Sequence, residues 1–557
     1  MDPQNIEFAT LPDLVRHHAE AAPGRVALVE GERRLSYAGL NTLLDRIAHA
    51  LQQRGVGPGR QVAICAAASI EYAAVLLGAL RAGAAVVPLA TGTTRAALIG
   101  MLADAEPSLL FLDAATAALL DAAPDPPDPQ APTLPADLIR VSLDRREADS
   151  VLEHWLAQTA SAPGVTPRPV NIAPESPFNI IYSSGTTGVP KGIVQSHAMR
   201  WAHVRRGAHY GYSARTVTLL STPLYSNTTL VVFVPTLAFG GSVVLMPKFN
   251  AAAYLALAQQ HRVTHTMLVP VQYQRLLAHP EFDRHDLASF QVKFATSAPF
   301  AAALKADVLR RWPGQLIEFY GMTEGGGTCI LEAHAFPDKL HTVGRPAEGH
   351  DMRLIDPQGV ELAPGATGEV VGHSPSMMTG YHKQPGKTRE AEWFDTLGKR
   401  FIRTGDIGRF DHEGFLTLID RGKDMIISGG FNIYPSDLET VLREHPAVAE
   451  AAVVGVASHQ WGETPVGFVV LRVAAGALDA SASGALDPVA AGGCDSDGAN
   501  ALDAGASPSA EALLEWANTR LAKLQRLHHI EFIAELPRSA IGKVLKRELR
   551  ERCAAAD

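Results

Sequence analysis

Cysteine is scarce. Cys65, Cys329, Cys494 and Cys553 are the only four in 557 residues, and no two share a Cys-x-x-Cys spacing. That excludes a disulfide framework and a zinc ribbon, and a reducing cytoplasm is the expected compartment. A secretory leader is missing too: MDPQNIEFATLPD has no basic region followed by an apolar core, so export is not expected. No run reads as a membrane span. The longest apolar stretch, Ala73 to Ala90, is broken by Gly78, Arg81 and Gly83, whereas a spanning helix needs about 20 apolar residues. Positive charge is not in excess either. The 49 Lys and Arg stand against 58 Asp and Glu, a formal net charge of −9, which argues against broad binding to nucleic acid.

What is present is enough apolar material for sizeable cores. Hydrophobic residues make up 46% and charged residues 19% of the chain, the balance of a folded globular protein, and the length implies roughly two to four domains. From Leu11 to Pro88, helical patterns such as LNTLLDRIAHALQQRG alternate with short β-branched runs such as QVAIC and AAVVPL, an α/β rhythm. The rhythm returns in FNIIY, TVTLLS, SVVLMP, HTMLVP and QVKFAT, up to about Glu318. After Gly365 the texture changes to short strands and turns: GEVVGHS, FIRTGDIGRF, FLTLIDRGKDMIISGG. Beyond these come YPSDLETVLREH, with Ser436 and Glu439 in capping-box spacing, then VAEAAVVGV, GFVVLRV and the helical SAEALLEWANTRLAKL, which together predict a small α+β domain. Pro124 to Pro135 reads as a surface loop, and Ala474 to Ala510, nearly without large apolar residues, as a mobile insertion. There is no internal repeat.

Four segments carry chemistry. YSSGTTGVPKG, Tyr182 to Gly192, follows an apolar strand. Its small residues let backbone N–H groups and hydroxyls crowd around a phosphate, with Lys191 as a point charge. The Walker spacing is not met, because Gly185 and Gly188 are three apart and Gly192 follows the lysine; taken alone, the segment is equally a flexible turn. EFYGMTEGGG, Glu318 to Gly327, offers a stacking ring, the Thr323 hydroxyl and, in Glu324, a hard oxygen for Mg2+; alone it reads as a loop with a solvated glutamate. In RTGD, Arg403 to Asp406, a carboxylate at a turn suits two ribose hydroxyls, as it also suits an ordinary Asp turn. LPRSAIGKVLKRELR places Lys543 after a glycine in a basic stretch, where a solvated helix is the plain reading.

In this order the segments resemble the adenylate-forming superfamily, which includes acyl-CoA synthetases, adenylation domains of peptide synthetases and beetle luciferase. The resemblance runs from LSYAGLN near Leu35 to the C-terminal lysine, apart from the proline-rich loop and the Ala/Gly insertion. It implies an α/β fold: a large N-terminal adenylate-forming domain over 1–422, with layered α/β subdomains plus a β-rich one, and a small mobile α+β domain over 423–557. It implies ATP, Mg2+ and coenzyme A as cofactors and a small-molecule carboxylic acid as partner. By the same resemblance Ser183, Ser184, Gly185, Thr186, Thr187, Gly188 and Lys191 surround the β- and γ-phosphates. Ser297, Ala298 and Pro299 lie beside adenine, where the family reads GAP. Tyr320, with Gly321, stacks on adenine, Thr323 contacts the α-phosphate, and Glu324 holds the metal. Asp406 and Arg421 bind ribose, Lys543 is the adenylation lysine, and Lys423 is the hinge. Gly429 and Gly430 of the SGG segment, with Trp461, face coenzyme A.

The match departs in one place. In STPLYSNTTL, Ser226 stands where the family commonly has histidine. Tyr225, Ser226 and Asn227, with Thr228 and Thr229, are polar for a purely greasy pocket. They are compatible with a hydroxy acid or dicarboxylate, and equally with side chains that bond backbone or water. Gly325 and Gly326, with Gly327, are read as leaving room for a medium-length, branched or ring-bearing acid. His197, His528 and His529 are expected to be structural or solvent-facing. The expected activity is an acid–CoA ligase forming AMP and pyrophosphate. The rival readings are an enzyme that loads a carrier protein in trans and a non-catalytic nucleotide-binding regulator. Oligomeric state is not readable, a homodimer included.

Overall fold

The computed structural model describes residues 3–122, 133–135, 137–146, 149–159, 164–183, 191–421, 424–428, 431–458, 462–472, 508–521, 525–539 and 542–554. Nearly all of the proline-rich loop and the Ala/Gly insertion lie outside them. The chain divides into two compact units, Met1–Leu418 with Ala540–Gly542, and Ile419–Ser539 with Lys543–Asp557.

The large unit is mixed α/β. A nine-stranded sheet runs in the order Arg345–Pro346, Thr328–Glu332, Gln315–Gly321, Val292–Ala295, His265–Leu268, Val217–Leu220, Ser242–Leu245, Val26–Glu30, Arg33–Ser36. It is parallel from Gln315–Gly321 through Val26–Glu30. Its central strands Val292–Ala295 and His265–Leu268 are buried at every residue, Lys293, His265 and Thr266 included, because both faces of a parallel sheet are covered. A seven-stranded sheet is ordered Gly380–Tyr381, Lys191–Ser196, Pro177–Ser183, Ala85–Pro88, Gln61–Cys65, Leu109–Leu112, Ile139–Ser142.

Local chemistry starts the helices. Ser36 accepts the Gly39 N–H (3.1 Å) at the head of Tyr37–Gln53, whose Leu40, Leu44, Ile47 and Leu51 are buried on one face. Helix Ile70–Arg81 is buried on every side, so the apolar stretch noted above is a core helix followed by strand Ala85–Pro88. Among the described residues no helix is long and apolar enough to cross a membrane.

Strands Asp351–Ile355, Thr367–His373, Arg400–Phe410 and Glu392–Phe394 form an antiparallel sheet. The RTGD segment is not a turn. It lies inside strand Arg400–Phe410, where the register against Thr367–His373 shifts and Gly405 adopts φ +72°. A bulge re-aims the side chains beside it, so Asp406 is delivered by a kinked strand.

In the small unit, strands Phe431–Ile433, Ile426–Ser428, Gly462–Leu471 and Val448–Ser458 pair antiparallel, with His529–Phe532 parallel to Gly462–Leu471. Helices Pro435–Glu444 and Ala510–Asn518 cover a core of Ile426, Leu438, Leu442, Val453, Val469 and Leu513. The expected capping box does not form. Pro435 opens the first turn and Tyr434 is the cap residue. Ser436 Oγ instead donates to the Ile419 carbonyl, and Glu439 accepts the Val453 N–H (2.9 Å). A proline at the first position presets φ and needs no N–H partner, which moves the helix start one residue ahead of the serine.

Candidate active site

Strands Pro177–Ser183 and Lys191–Ser196 pair antiparallel with Ser183 opposite Lys191, so the two ends of the glycine-rich connection face each other. Ser184, Gly185, Thr186, Thr187 and Gly188 lie outside the described residues. The base of the hairpin is anchored by Tyr182, whose hydroxyl donates to Asp104 (2.5 Å).

From Lys191 a chain of contacts joins three motifs that are far apart in sequence. The Lys191 ammonium sits 5.0 Å from the centre of the Tyr381 ring, a cation–π contact. The Tyr381 hydroxyl donates to Glu324 Oε1 (2.9 Å). Three residues before Thr323, Tyr320 donates to Asp406 Oδ2 (2.8 Å). Burial first, and then the neighbouring carboxylate, push both phenols well above their ordinary range. Both therefore stay protonated and act as donors that hold Asp406 and Glu324 in place. Sequence reasoning found Tyr320, Asp406, Glu324 and Lys191; it missed Tyr381, which only the pairing of Gly380–Tyr381 with Lys191–Ser196 brings near them.

Glu324 is half-buried, and among the described residues only its Oε1 carries a hydrogen bond. No group of three or more His, Cys, Asp or Glu in the described residues forms an all-protein cage. That donor set fits Mg2+ as phosphate-handling sites hold it, through one or two carboxylates with phosphate oxygens and water.

Thr323 is positioned through its backbone. Gln195 donates to the Thr323 carbonyl (2.6 Å) and is itself held by Asn179 (2.9 Å). Arg200, 2% exposed, donates to the side-chain amide oxygens of Asn179 (2.9 and 3.1 Å), Asn227 (2.8 Å) and Gln195. Burial lowers its pKa to about 9, so the guanidinium stays charged at neutral pH with amide oxygens as its acceptors. No sequence signal marked Gln195 or Arg200, because each is an ordinary residue of an amphipathic pattern.

The polar residues after Tyr225 are satisfied within the protein. Ser226 caps helix Asn227–Ala238 by accepting the Thr228 N–H (3.3 Å). Thr229 donates to Pro223 O (2.6 Å), and Thr228 bonds Ser297 Oγ (2.7 Å). The last bond ties the candidate acyl wall to the candidate adenine segment Ser297, Ala298 and Pro299. Ser297 holds φ +80°, an unfavourable value for a residue with a side chain and a form of strain that gathers at functional sites. Tyr225 is half-buried and its phenol is pushed up to about 12 by burial.

The room expected at Gly325 and Gly326 is filled by protein. A Cβ at Gly325 (φ +73°) would lie 2.0 Å from the Ser376 carbonyl oxygen, one at Gly326 2.4 Å from Ile402 Cβ, and one at Gly327 2.2 Å from the Met352 sulfur. These glycines let the Thr323–Glu324 loop pack against the β-rich subdomain; they do not widen a pocket. Gly321 is exposed at the end of its strand. His197 is buried against Phe178 (5.1 Å between ring centres) and burial lowers its pKa to about 4, a neutral core ring; His528 and His529 are exposed.

Within the small unit, Lys543 lies on no helix. Arg538 and Val544 form an antiparallel bridge, and the Ser539 N–H donates to the Lys543 carbonyl (2.8 Å). Ser428 pairs across the ladder with Gly462, so the described ends of the SGG and Trp-Gly segments are neighbours. Lys423, Gly429, Gly430 and Trp461, and the side chain of Arg421, lie outside the described residues.

The family described as AMP-binding enzyme matches residues 15–382, and the AMP-binding enzyme C-terminal domain matches residues 437–491. The chain is 33% identical to indoleacetate–CoA ligase of Aromatoleum aromaticum, covering 97% of this chain and 98% of that protein. It is 30% identical to a fatty acid–[acyl-carrier-protein] ligase of Streptomyces coeruleorubidus over 98% of this chain and 97% of that one. The crystal structure of ATP-bound MatB from Rhodopseudomonas palustris superposes with a TM-score of 0.78 at 27% identity, covering 98% of this chain and 99% of that one.

Proposed function

The chain belongs to the AMP-binding enzyme family, and from that premise we propose that it is an ATP-dependent carboxylic acid–CoA ligase acting in two steps. In the first, a carboxylate oxygen attacks the α-phosphorus of ATP, the α–β anhydride breaks, and pyrophosphate leaves. In the second, the CoA thiolate attacks the acyl carbon, the C–S bond forms, and AMP leaves. The observation that carries this reading is the pair of tyrosine bridges, Lys191–Tyr381–Glu324 and Tyr320–Asp406, which gathers a phosphate-type cation, a metal-type carboxylate and a ribose-type carboxylate in one unit.

The chemistry explains why such a set is needed. Carboxylate and triphosphate are both anions, so the barrier falls only if cations and fixed dipoles face the charge that develops at the α-phosphate. Lys191 and the backbone held at Thr323 are oriented for that task. Glu324 would hold Mg2+, which when bound neutralises phosphate charge. Asp406, fixed by Tyr320, receives ribose hydroxyls. Lys543 supplies a further cation for adenylation only, and Lys423 is the hinge residue between half-reactions.

The test supplies ATP, Mg2+, coenzyme A and a panel of carboxylic acids, and measures AMP and thioester. CoA-dependent thioester is the expected result. Acid-dependent pyrophosphate exchange without thioester favours loading of a carrier protein, a reading that the full-length likeness to a carrier-protein ligase supports. Silence across the panel favours a nucleotide-binding regulator or an acid outside the panel.

A further inference from the structure

Helix His197–His209 presents Arg200, His203 and Arg206 at intervals of three residues, so they lie along one stripe of its surface. Helix Asn227–Ala238 packs alongside and presents Asn227, Val231 and Pro235 at intervals of four. The groove between them, floored by Phe294 and Phe319, is lined by His203 and Arg206. His203 links the groove to the Arg200–Asn227–Gln195 network that holds Thr323, through its Nδ1 at 3.5 Å from Arg200, and the reacting carboxyl belongs at that network on the reading above. Arg206 lies six residues further along its helix, about 9 Å at 1.5 Å per residue.

Arg206 differs from the other arginines near the interior of this unit. Arg33, Arg81, Arg353 and Arg403 are each paired with a carboxylate, and Arg200 is held by amide oxygens. Among the described residues Arg206 makes no hydrogen bond or ion pair; its contact is the Phe319 ring, 5.8 Å from the guanidinium carbon. Burial lowers its pKa. Burial, and then the charges of Arg200 and Arg206, lower His203; burial, and then Arg206, lowers His350, whose Nδ1 is buried without a hydrogen-bond partner among the described residues. Glu332 is paired with His209 (3.4 Å) on the exposed side, and no carboxylate among the described residues acts on the Arg206 charge. The groove thus holds one partly desolvated cation, Arg206, one imidazole, His203, apolar and aromatic walls, and no acidic lining residue. Its cavity volume is about 10 Å³, room for about one water. An entering acid must displace a side chain, and Arg206 has no hydrogen bond to break when it moves.

We propose that the acid this chain activates is a dianion: a slim apolar body, compatible with an aromatic ring, carries a second oxyanion about 9 Å from the reacting carboxyl, and Arg206 receives it. The inference rests on the ligase reading for the position of the reacting carboxyl. It replaces Ser226, Thr228 and Thr229, whose polar atoms are already engaged, as the source of polar selectivity. A carboxylate supplies the counter-charge the groove lacks, and a guanidinium bonds it bidentately.

Calorimetric titration of the full chain with 4-carboxycinnamate and with suberate, each against a monocarboxylate of similar length that lacks the distal charge (4-methylcinnamate and nonanoate), tests this directly. The expected result is at least tenfold tighter binding of one or both dicarboxylates, and the stronger one tells an aryl from an alkyl body. In Arg206→Met the preference falls to within twofold of unity, whereas Arg206→Lys retains part of it. Equal affinities within both pairs, no binding of either dicarboxylate, or a preference that survives Arg206→Met overturns the proposal. If the preference is present and no acyl-adenylate or thioester forms, the ligase reading fails while the anion site stands.

Discussion

Lys305→Met tests how the strand that carries Tyr320 is held. Lys305, 1% exposed, lies on helix Ala302–Arg311, and Glu318, 4% exposed, lies two residues before Tyr320 on strand Gln315–Gly321. The ammonium donates to the carbonyls of Leu340 (2.8 Å) and Thr342 (2.9 Å) and forms an ion pair with Glu318, so three donors meet three acceptors. Methionine keeps the length of the side chain, strands the carboxyl without a cation and leaves two carbonyls without their donor. Removing one member of a buried pair costs about 3–5 kcal/mol, a large part of the roughly 5–15 kcal/mol that holds a typical domain. Burial already pushes Glu318 up to about 7 against the opposing pull of Lys305, and the variant loses that pull. Its folded value therefore lies above the unfolded 4.5, and between the two the folded chain keeps a proton that the unfolded chain has released. The stability of the variant is greatest below the unfolded value and falls as pH rises toward the folded one, by up to about 1.4 kcal/mol per pH unit. Urea unfolding followed by tryptophan fluorescence, at pH 6 and pH 8, reads both effects. The double variant Lys305→Met with Glu318→Leu removes both charges and is expected to be more stable than the single variant, remaining below the parent by about 1–3 kcal/mol for the two carbonyls left without their donor. A loss under about 1 kcal/mol in the single variant at pH 8, or a double variant as unstable as the sum of the singles, refutes the reasoning.

Three further outcomes are expected. Tyr320→Phe removes the donor to Asp406 and, at about 1–2 kcal/mol for a half-buried charged hydrogen bond, raises the KM for ATP roughly 5- to 30-fold in pyrophosphate exchange; an unchanged KM contradicts the role given to the pair. Gly325→Ala forces a Cβ to within 2.0 Å of the Ser376 carbonyl, displaces the Thr323–Glu324 loop and lowers adenylation about a hundredfold, the scale of an ångström's misplacement. Retention of more than half the parental rate counts against it. Lys543→Ala nearly abolishes adenylation yet spares thioester formation from supplied acyl-adenylate; equal loss of both half-reactions argues against the division of labour.

Much of the architecture is legible because it is local. QVAIC, FNIIY, SVVLMP and QVKFAT are strands where their apolar runs place them, and LNTLLDRIAHALQQ is a helix because Ser36 caps it and its leucines recur on one face. The candidate site is legible where a residue type declares a chemistry, as with Glu324, Asp406 and Lys191. The readings that failed depended on what lies across from a residue. The glycines after Glu324 look like open space in one dimension and are the closest packing in three. Ser436 and Glu439 have capping-box spacing but bond Ile419 and Val453 instead, and the RTGD turn is a bulged strand because its partner Thr367–His373 imposes the shift.

The amino-acid order alone determined the α/β rhythm, the two-part organisation and the inventory of cations and carboxylates, since periodicity and side-chain chemistry act over a few residues. Only the tertiary structure decided which of those groups meet. Tyr381 reaches Glu324 across 57 residues and Tyr320 reaches Asp406 across 86. Arg200 is enclosed by amides and Arg206 faces an apolar groove though both sit on one helix, because burial and partners are properties of the surface packed against a residue, which no local pattern encodes.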